Sequence, residues 1–153
     1  VEFVTKLSDF YRKVMLYREK AVIPIQEELA LIADFAYLIE KRFADNIRIV
    51  LEIHAFEGFV VPFGIQMLVE NAVKHNVGSK EKPLIVTVAS EGAYYVVRNN
   101  LQLKKIKETS TNFGLDFIVK HYEFLDAKKV EIVQDETSFV VKLPILKHES
   151  PTH

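Results

Sequence analysis

The stretch Val61-Pro62-Phe63-Gly64-Ile65-Gln66-Met67-Leu68-Val69-Glu70-Asn71-Ala72-Val73-Lys74-His75-Asn76 separates into two faces when wound at ~100° per residue. Ile65, Leu68, Val69, Ala72 and Val73 share one arc, which is suited to a core. Gln66, Glu70, Asn71, Lys74 and His75 share the opposite arc, with Met67 among them. The pattern predicts a helix from near Pro62 to about Asn76. Its polar face gathers amides, a carboxylate, an ammonium and an imidazole. A solvated surface with a Glu70–Lys74 pair at i,i+4 accounts for most of that face. Asn71 asks for a further reason, because asparagine is a poor helix former that favours caps and turns. An uncharged oxygen donor for Mg²⁺ is one such reason, since hard cations take oxygen ligands and keep several waters. Lys74, one turn on, then reaches phosphate oxygens.

Upstream, Phe3, Leu7, Phe10, Val14 and Tyr17 recur at helical spacing, the stripe of an amphipathic helix in a bundle or coiled coil, or docked on its own domain. Pro24 opens a second helix with Glu27 and Glu28 in its first turn, where acidic groups suit the macrodipole. Ile25, Leu29, Ile32, Ala36, Ile39 and Phe43 form its apolar stripe, and Asn46 is a plausible stop. Ile47, Ile49, Leu51 and Ile53 then alternate with Arg48, Val50, Glu52 and His54, the period of a strand.

Downstream, 84–90 and 94–98 are β-branched or aromatic runs around Glu91-Gly92-Ala93 and read as a hairpin. Residues 101–111 are polar and carry lysine without a clear period. Helical spacing returns over 113–126 through Leu115, Ile118, Val119, Tyr122 and Leu125. A last hairpin joins 129–134 to 138–145 around Asp135-Glu136-Thr137, and residues 148–153 read as a disordered tail. Helices interleaved with hairpins predict an α+β fold, a two-layer sandwich with helices on one face of a mixed β-sheet. Strict strand–helix alternation is missing, which excludes a doubly wound fold.

Composition narrows the field. The 153 residues are 49% hydrophobic with 11 Phe and 6 Tyr, enough to build a core. A net charge of -1 provides no basic excess for a nucleic acid. The absence of cysteine excludes disulfides and zinc–thiolate sites. No apolar run approaches the ~18 residues of a membrane helix. The chain begins at Val1, so it reads as a piece of a longer protein, with any membrane anchor upstream.

Pro62, Gln66, Leu68, Val69, Glu70, Asn71, Ala72, Lys74 and His75 together resemble the N box of GHKL (Bergerat-fold) ATPases. The nearest likeness is to LytS-type sensor histidine kinases, whose box reads P-x-x-x-Q-x-L-V-E-N-A-x-K-H. The resemblance implies that Asn71 holds Mg²⁺, that Lys74 touches phosphate and that His75 lies near the nucleotide. Glu70 would polarise a water or help position the metal; as an alternative for His75, a cation simply ends the helix. In the family a strand ending in D-x-G places an aspartate against the adenine amino group. Here Asn99 stands in its place and Leu101 stands for the glycine. The amide oxygen of Asn99 can accept the same bond without the charge.

A phosphate loop resembling S-T-G-x-G-L follows as Ser110-Thr111-Asn112-Phe113-Gly114-Leu115, with Asn112 in place of one glycine. Backbone N–H groups at such a helix start suit an anion; the implied ligands are Thr111, Asn112, Gly114 and Leu115. Asp116-Phe117-Ile118 and His121-Tyr122 depart from the family's usual helix. Leu7-Ser8 and Arg12 resemble the end of the dimerisation region, and Lys41-Arg42-Phe43 the helix before the first strand. The implied organisation is a truncated dimerisation and phosphoacceptor region over 1–20 and an ATP-binding domain over 21–147. None of the five histidines sits in a phosphoacceptor motif, so that histidine is expected upstream.

The resemblance implies a cytoplasmic catalytic domain that binds ATP and Mg²⁺ and belongs to an inner-membrane protein. It would form a homodimer in the full-length protein and act on its own phosphoacceptor helix and on a response regulator. The drift at Asn99, Leu101 and Asn112 also suits a degenerate module that keeps the fold without catalysis. A GHKL serine kinase or ATPase is a further alternative.

Overall fold

The computed structural model describes residues 1–55, 57–105, 113–125 and 128–147, with the side chain of Phe113 excepted. Its helices are α1 (Glu2–Tyr17), α2 (Ile25–Phe43), α3 (Gly64–His75) and α4 (Phe113–Phe124). Its strands are β1 (Ile23–Pro24), β2 (Ile47–Glu52), β3 (Phe59–Val60), β4 (Leu84–Glu91), β5 (Tyr94–Asn100), β6 (Glu131–Gln134) and β7 (Ser138–Pro144). The main sheet has five strands in the order β2-β4-β5-β7-β6. β2 and β4 run parallel, and the other neighbours are antiparallel. The α+β class and the mixed sheet are as the periodicities predict.

The period of two along each strand decides which face is covered. Ile47 and Ile49, Leu84, Val86 and Val88, Tyr95 and Val97, and Val141 and Leu143 are buried and pack with the apolar stripes of α2, α3 and α4. The opposite face carries Arg98 and Lys142, both near Glu91 at 3.6 and 3.8 Å. The hairpin between β6 and β7 turns on Asp135, whose Oδ1 accepts the N–H groups of Thr137 and Ser138. α1 lies along α2. Phe10 and Phe35 meet with ring centroids 6.3 Å apart, and Lys13 Nζ reaches Asp34 Oδ2 at 2.7 Å.

The differences from expectation lie at the ends of elements. Pro24 stands at the start of α2 as its N-cap, with the helix beginning at Ile25, and it also pairs with Phe59 in a two-stranded ladder that the sequence did not suggest. The third helix runs Gly64–His75, starting two residues after Pro62 and leaving Asn76 as its C-cap, as the pattern predicts. Asn99 and Asn100 extend β5 rather than ending it at Arg98. Ladders this short carry no periodicity to read, and strand ends depend on partners distant in sequence. The expected tail at 148–153 lies outside the described residues.

The start of α3 is held from another helix. Glu28 on α2 is fully buried. It accepts the N–H groups of Phe63 at 2.9 Å, Ile65 at 3.0 Å and Gln66 at 3.3 Å. These are the donors that a helix N-terminus leaves without partners. Phe63 adopts a left-handed backbone with φ 66°, a strain that a bulky residue keeps only when its surroundings hold it there. Nearby, the buried Tyr122 hydroxyl accepts the Val61 N–H at 3.3 Å, which ties α4 to the same corner.

Burial pushes the Glu28 carboxyl up to about 7, against the downward pull of its three N–H donors. Because the folded value lies above the unfolded one, the folded state favours the proton. That contribution to stability is complete below about pH 4.5 and disappears as pH rises through about 7. Between pH 5 and pH 8 the wild type is expected to lose about 2 kcal/mol more than Glu28→Gln in urea unfolding. Parallel pH profiles for the two proteins would contradict this. Glu28→Ala is expected to cost about 3–5 kcal/mol, because it leaves the first turn of α3 without acceptors.

Candidate functional site

α3 presents Asn71 and His75 half-buried and Lys74 exposed. Gln66, on the polar arc by periodicity, is instead 5% exposed, because α2 covers the first turn through Glu28. Its Nε2 donates to Glu70 Oε1 at 2.8 Å. Gln66 Oε1 is buried without a hydrogen-bond partner among the described residues. Glu70 does not form the expected i,i+4 ion pair with Lys74. Burial raises its carboxyl above the ordinary range, and the Gln66 bond opposes that rise. A carboxyl so placed holds a proton more readily than one in solvent.

Gly114, in the first turn of α4, comes against α3. A methyl group built on it would lie 3.1 Å from Met67 Sδ and 3.8 Å from Asn71 Nδ2. Lack of a side chain at 114 therefore leaves the flank of Asn71 open, and close approach rather than unusual backbone is what glycine provides there. Leu115, expected as a ligand position, is half-buried and packs on the core. Thr111 and Asn112 lie outside the described residues.

Asn99 sits inside the sheet rather than in a turn, opposite Val86 on β4 and Phe139 on β7. It is 3% exposed and faces the helices with Tyr95 and Val97. Its Nδ2 donates to the Asn100 carbonyl at 2.9 Å. That bond uses the donor end of the amide; the acceptor oxygen is the end an adenine amino group requires. Leu101 donates its N–H to the Thr137 carbonyl at 2.9 Å, so its backbone serves the sheet.

Two asparagines with structural work were not singled out by spacing. Asn100 accepts the Ile85 N–H at 2.8 Å and donates to the Pro83 carbonyl at 3.1 Å, bracing the start of β4. Asn76 is 5% exposed and bridges α3 to the chain beyond β5. The only signal for Asn76 was its place at a helix end, which does not reveal a partner 26 residues away.

The donor set suits a cation that arrives with its ligand. Among the described residues no three His, Cys, Asp or Glu side chains cluster as a metal cage. Mg²⁺ commonly binds through one or two protein oxygens, several waters and substrate phosphates. Asn71 carries an amide oxygen, its Nδ2 being the end nearer Gly114, and Lys74 provides a cation on the exposed side of the same helix. The residues present therefore fit a magnesium-bound phosphate ligand. A separate cleft of about 340 Å³ between the end of α2 and the start of β2 includes Glu40, Lys41, Asp45 and Arg48 and none of the candidate residues.

No family model matches the chain. Over 76 residues, 48% of this chain and 13% of the relative, it is 32% identical to the sensor protein LytS of Staphylococcus saprophyticus. Over 95 residues, 60% of this chain and 16% of the relative, it is 28% identical to the sensor protein LytS of Streptococcus agalactiae serotype V. The chain thus spans only a small part of those relatives' length. Its fold is similar to that of the cytoplasmic segment of the histidine kinase QseC, with TM-score 0.59, 20% identity and 95% and 93% of the two chains covered. A histidine kinase from Burkholderia phymatum is also similar, with TM-score 0.55, 13% identity and 90% and 76% covered.

Gly114→Ala is expected to change unfolding free energy by less than about 1 kcal/mol, because the flexible thioether of Met67 can yield and alanine favours a helix. A loss above about 2 kcal/mol in chemical denaturation would show that α4 and α3 meet too tightly for that.

Proposed function

We propose that the chain is the ATP-binding domain of a LytS-type sensor histidine kinase, a reading supported by its partial sequence likeness to LytS sensor proteins and its fold likeness to the cytoplasmic segment of the histidine kinase QseC. It passes the ATP γ-phosphoryl group to a histidine outside this chain and onward to a response regulator. The observation that carries this reading is the half-buried Asn71 beside Gly114, with Lys74 one turn away and Asn99 at the buried end of β5.

In this reading Asn71 holds Mg²⁺, which neutralises phosphate charge when bound. Lys74 faces the phosphates from the exposed side of α3. The start of α4 offers backbone N–H groups to the same anion. Asn99 accepts a hydrogen bond from the adenine amino group. Glu70, whose proton affinity is raised by burial, orders water or metal beside Asn71. The chain's part in catalysis is positioning and charge neutralisation, which suits phosphoryl transfer. Thr111, Asn112, Leu115 and His75 complete the proposed nucleotide contacts. The reading also places the domain in the cytoplasm, in a membrane-anchored homodimer.

A degenerate module that keeps the fold without nucleotide is the second reading. It is favoured by the missing charge at Asn99, where the family has an aspartate. Calorimetric titration with Mg²⁺-ADP separates the two. Binding is expected, with at least about a tenfold loss, or ~1.4 kcal/mol, for Asn71→Ala. No binding at millimolar nucleotide would refute catalytic competence and leave the degenerate module.

A further inference from the structure

The proposed site draws on two elements that do not adjoin in sequence. α3 carries Asn71 and Lys74, and β5 carries Asn99. One buried side chain ties the exits of both. Asn76 leaves α3 in extended backbone, with φ -122° and ψ 156°. Its Nδ2 donates to the Ala72 carbonyl at 2.9 Å, continuing the helical ladder with a side chain. Its Oδ1 accepts the Gln102 N–H at 2.8 Å, just beyond the end of β5.

The surrounding bonds repeat the connection. The Val77 N–H donates to the Gln102 carbonyl at 2.8 Å, and the Lys104 N–H donates to the His75 carbonyl at 3.1 Å. Gln102 Nε2 donates to the carbonyls of Val77 and Lys82, each at 3.0 Å. The following turn has little slack, since any side chain at Gly78 would run into the Asn46 carbonyl. A helix-end carbonyl by itself can be satisfied by water. A buried amide that serves a helix carbonyl and a post-strand N–H together fixes one element against the other. Alanine would leave both groups without a partner, and aspartate would lack the donor.

We infer that Asn76 is a positioning residue for the nucleotide site, holding Asn71 and Lys74 at a set separation from Asn99. This role rests on the nucleotide reading above. A ligand that spans both elements depends on that separation, because misplacing one contact wastes the other.

The test is a double-mutant cycle with Mg²⁺-ADP as the probe, using wild type, Asn76→Ala, Lys74→Ala and the double variant. Asn76→Ala is expected to weaken binding about tenfold in the wild-type background and less than about threefold in the Lys74→Ala background. Equal losses in both backgrounds would show general stabilisation and overturn the positioning role. Gln102→Ala keeps the backbone N–H that Asn76 accepts, and serves if Asn76→Ala does not fold. It is expected to weaken binding about threefold, again less when Lys74 is absent; equal losses with it overturn the role as well. Wild type that binds while both variants match it sinks the positioning role alone. Wild type that binds no Mg²⁺-ADP sinks the nucleotide reading, and this role with it.

Discussion

The contact between Glu28 and the first turn of α3 is the constraint on which the rest of the site depends. A fully buried carboxylate is costly unless hydrogen bonds compensate it. Here three backbone N–H groups offset that cost in part, all from the turn that starts the helix carrying Asn71 and Lys74. The same contact holds Phe63 in a left-handed backbone, which sets the direction in which α3 leaves the chain. α2 thereby acts as the cap of α3, and no side chain of α3's own N-terminus takes that part. The opposite end is held with equal economy. Asn76 closes the last turn and reaches across to the exit of β5. With both ends fixed, the helix has little freedom to rotate its polar face away from α4.

That arrangement also explains how a polar site can sit on an apolar platform. The sheet provides a buried platform through Val86, Val97 and Val141, and Asn99 is the polar group that the platform carries. α3 lies over this face and turns an apolar arc toward it. Gly114 brings α4 close without filling the space beside Asn71. Under the proposed reading, phosphate and metal chemistry would need few protein charges. Lys74 is exposed, where a cation is cheap to keep, and Asn71 would contribute an oxygen without the desolvation cost of a carboxylate.

Much of this was legible along the chain. The arc of Ile65, Leu68, Val69 and Ala72 is buried, and the alternation of Ile47 and Ile49 marks the core face of β2. Hairpins around Gly92 and Asp135 form where their turn residues place them. What escaped was long-range. Glu28 looks like an ordinary first-turn acid, because nothing local shows that its partners lie 35 to 38 residues away. Gln66 belongs to the polar arc by angle and is buried because a second helix covers it. Asn99 and Asn100 resemble a turn pair, yet strand pairing with β4 and β7 claims them. The family likeness pointed to Asn71, Lys74 and Asn99 but not to the two residues that hold them in place.

The central claim is that α3 and β5 together hold a nucleotide, with its metal at Asn71 and its base at Asn99. The most direct measurement is a crystal structure of the chain grown with Mg²⁺ and ADP. The account predicts a magnesium ion within coordination distance of Asn71 Oδ1, at about 2.1 Å. It also predicts the adenine amino group donating to Asn99 Oδ1, with phosphates between Lys74 and the start of α4. Nucleotide bound elsewhere, or bound here with neither Asn71 nor Asn99 in contact, would contradict it.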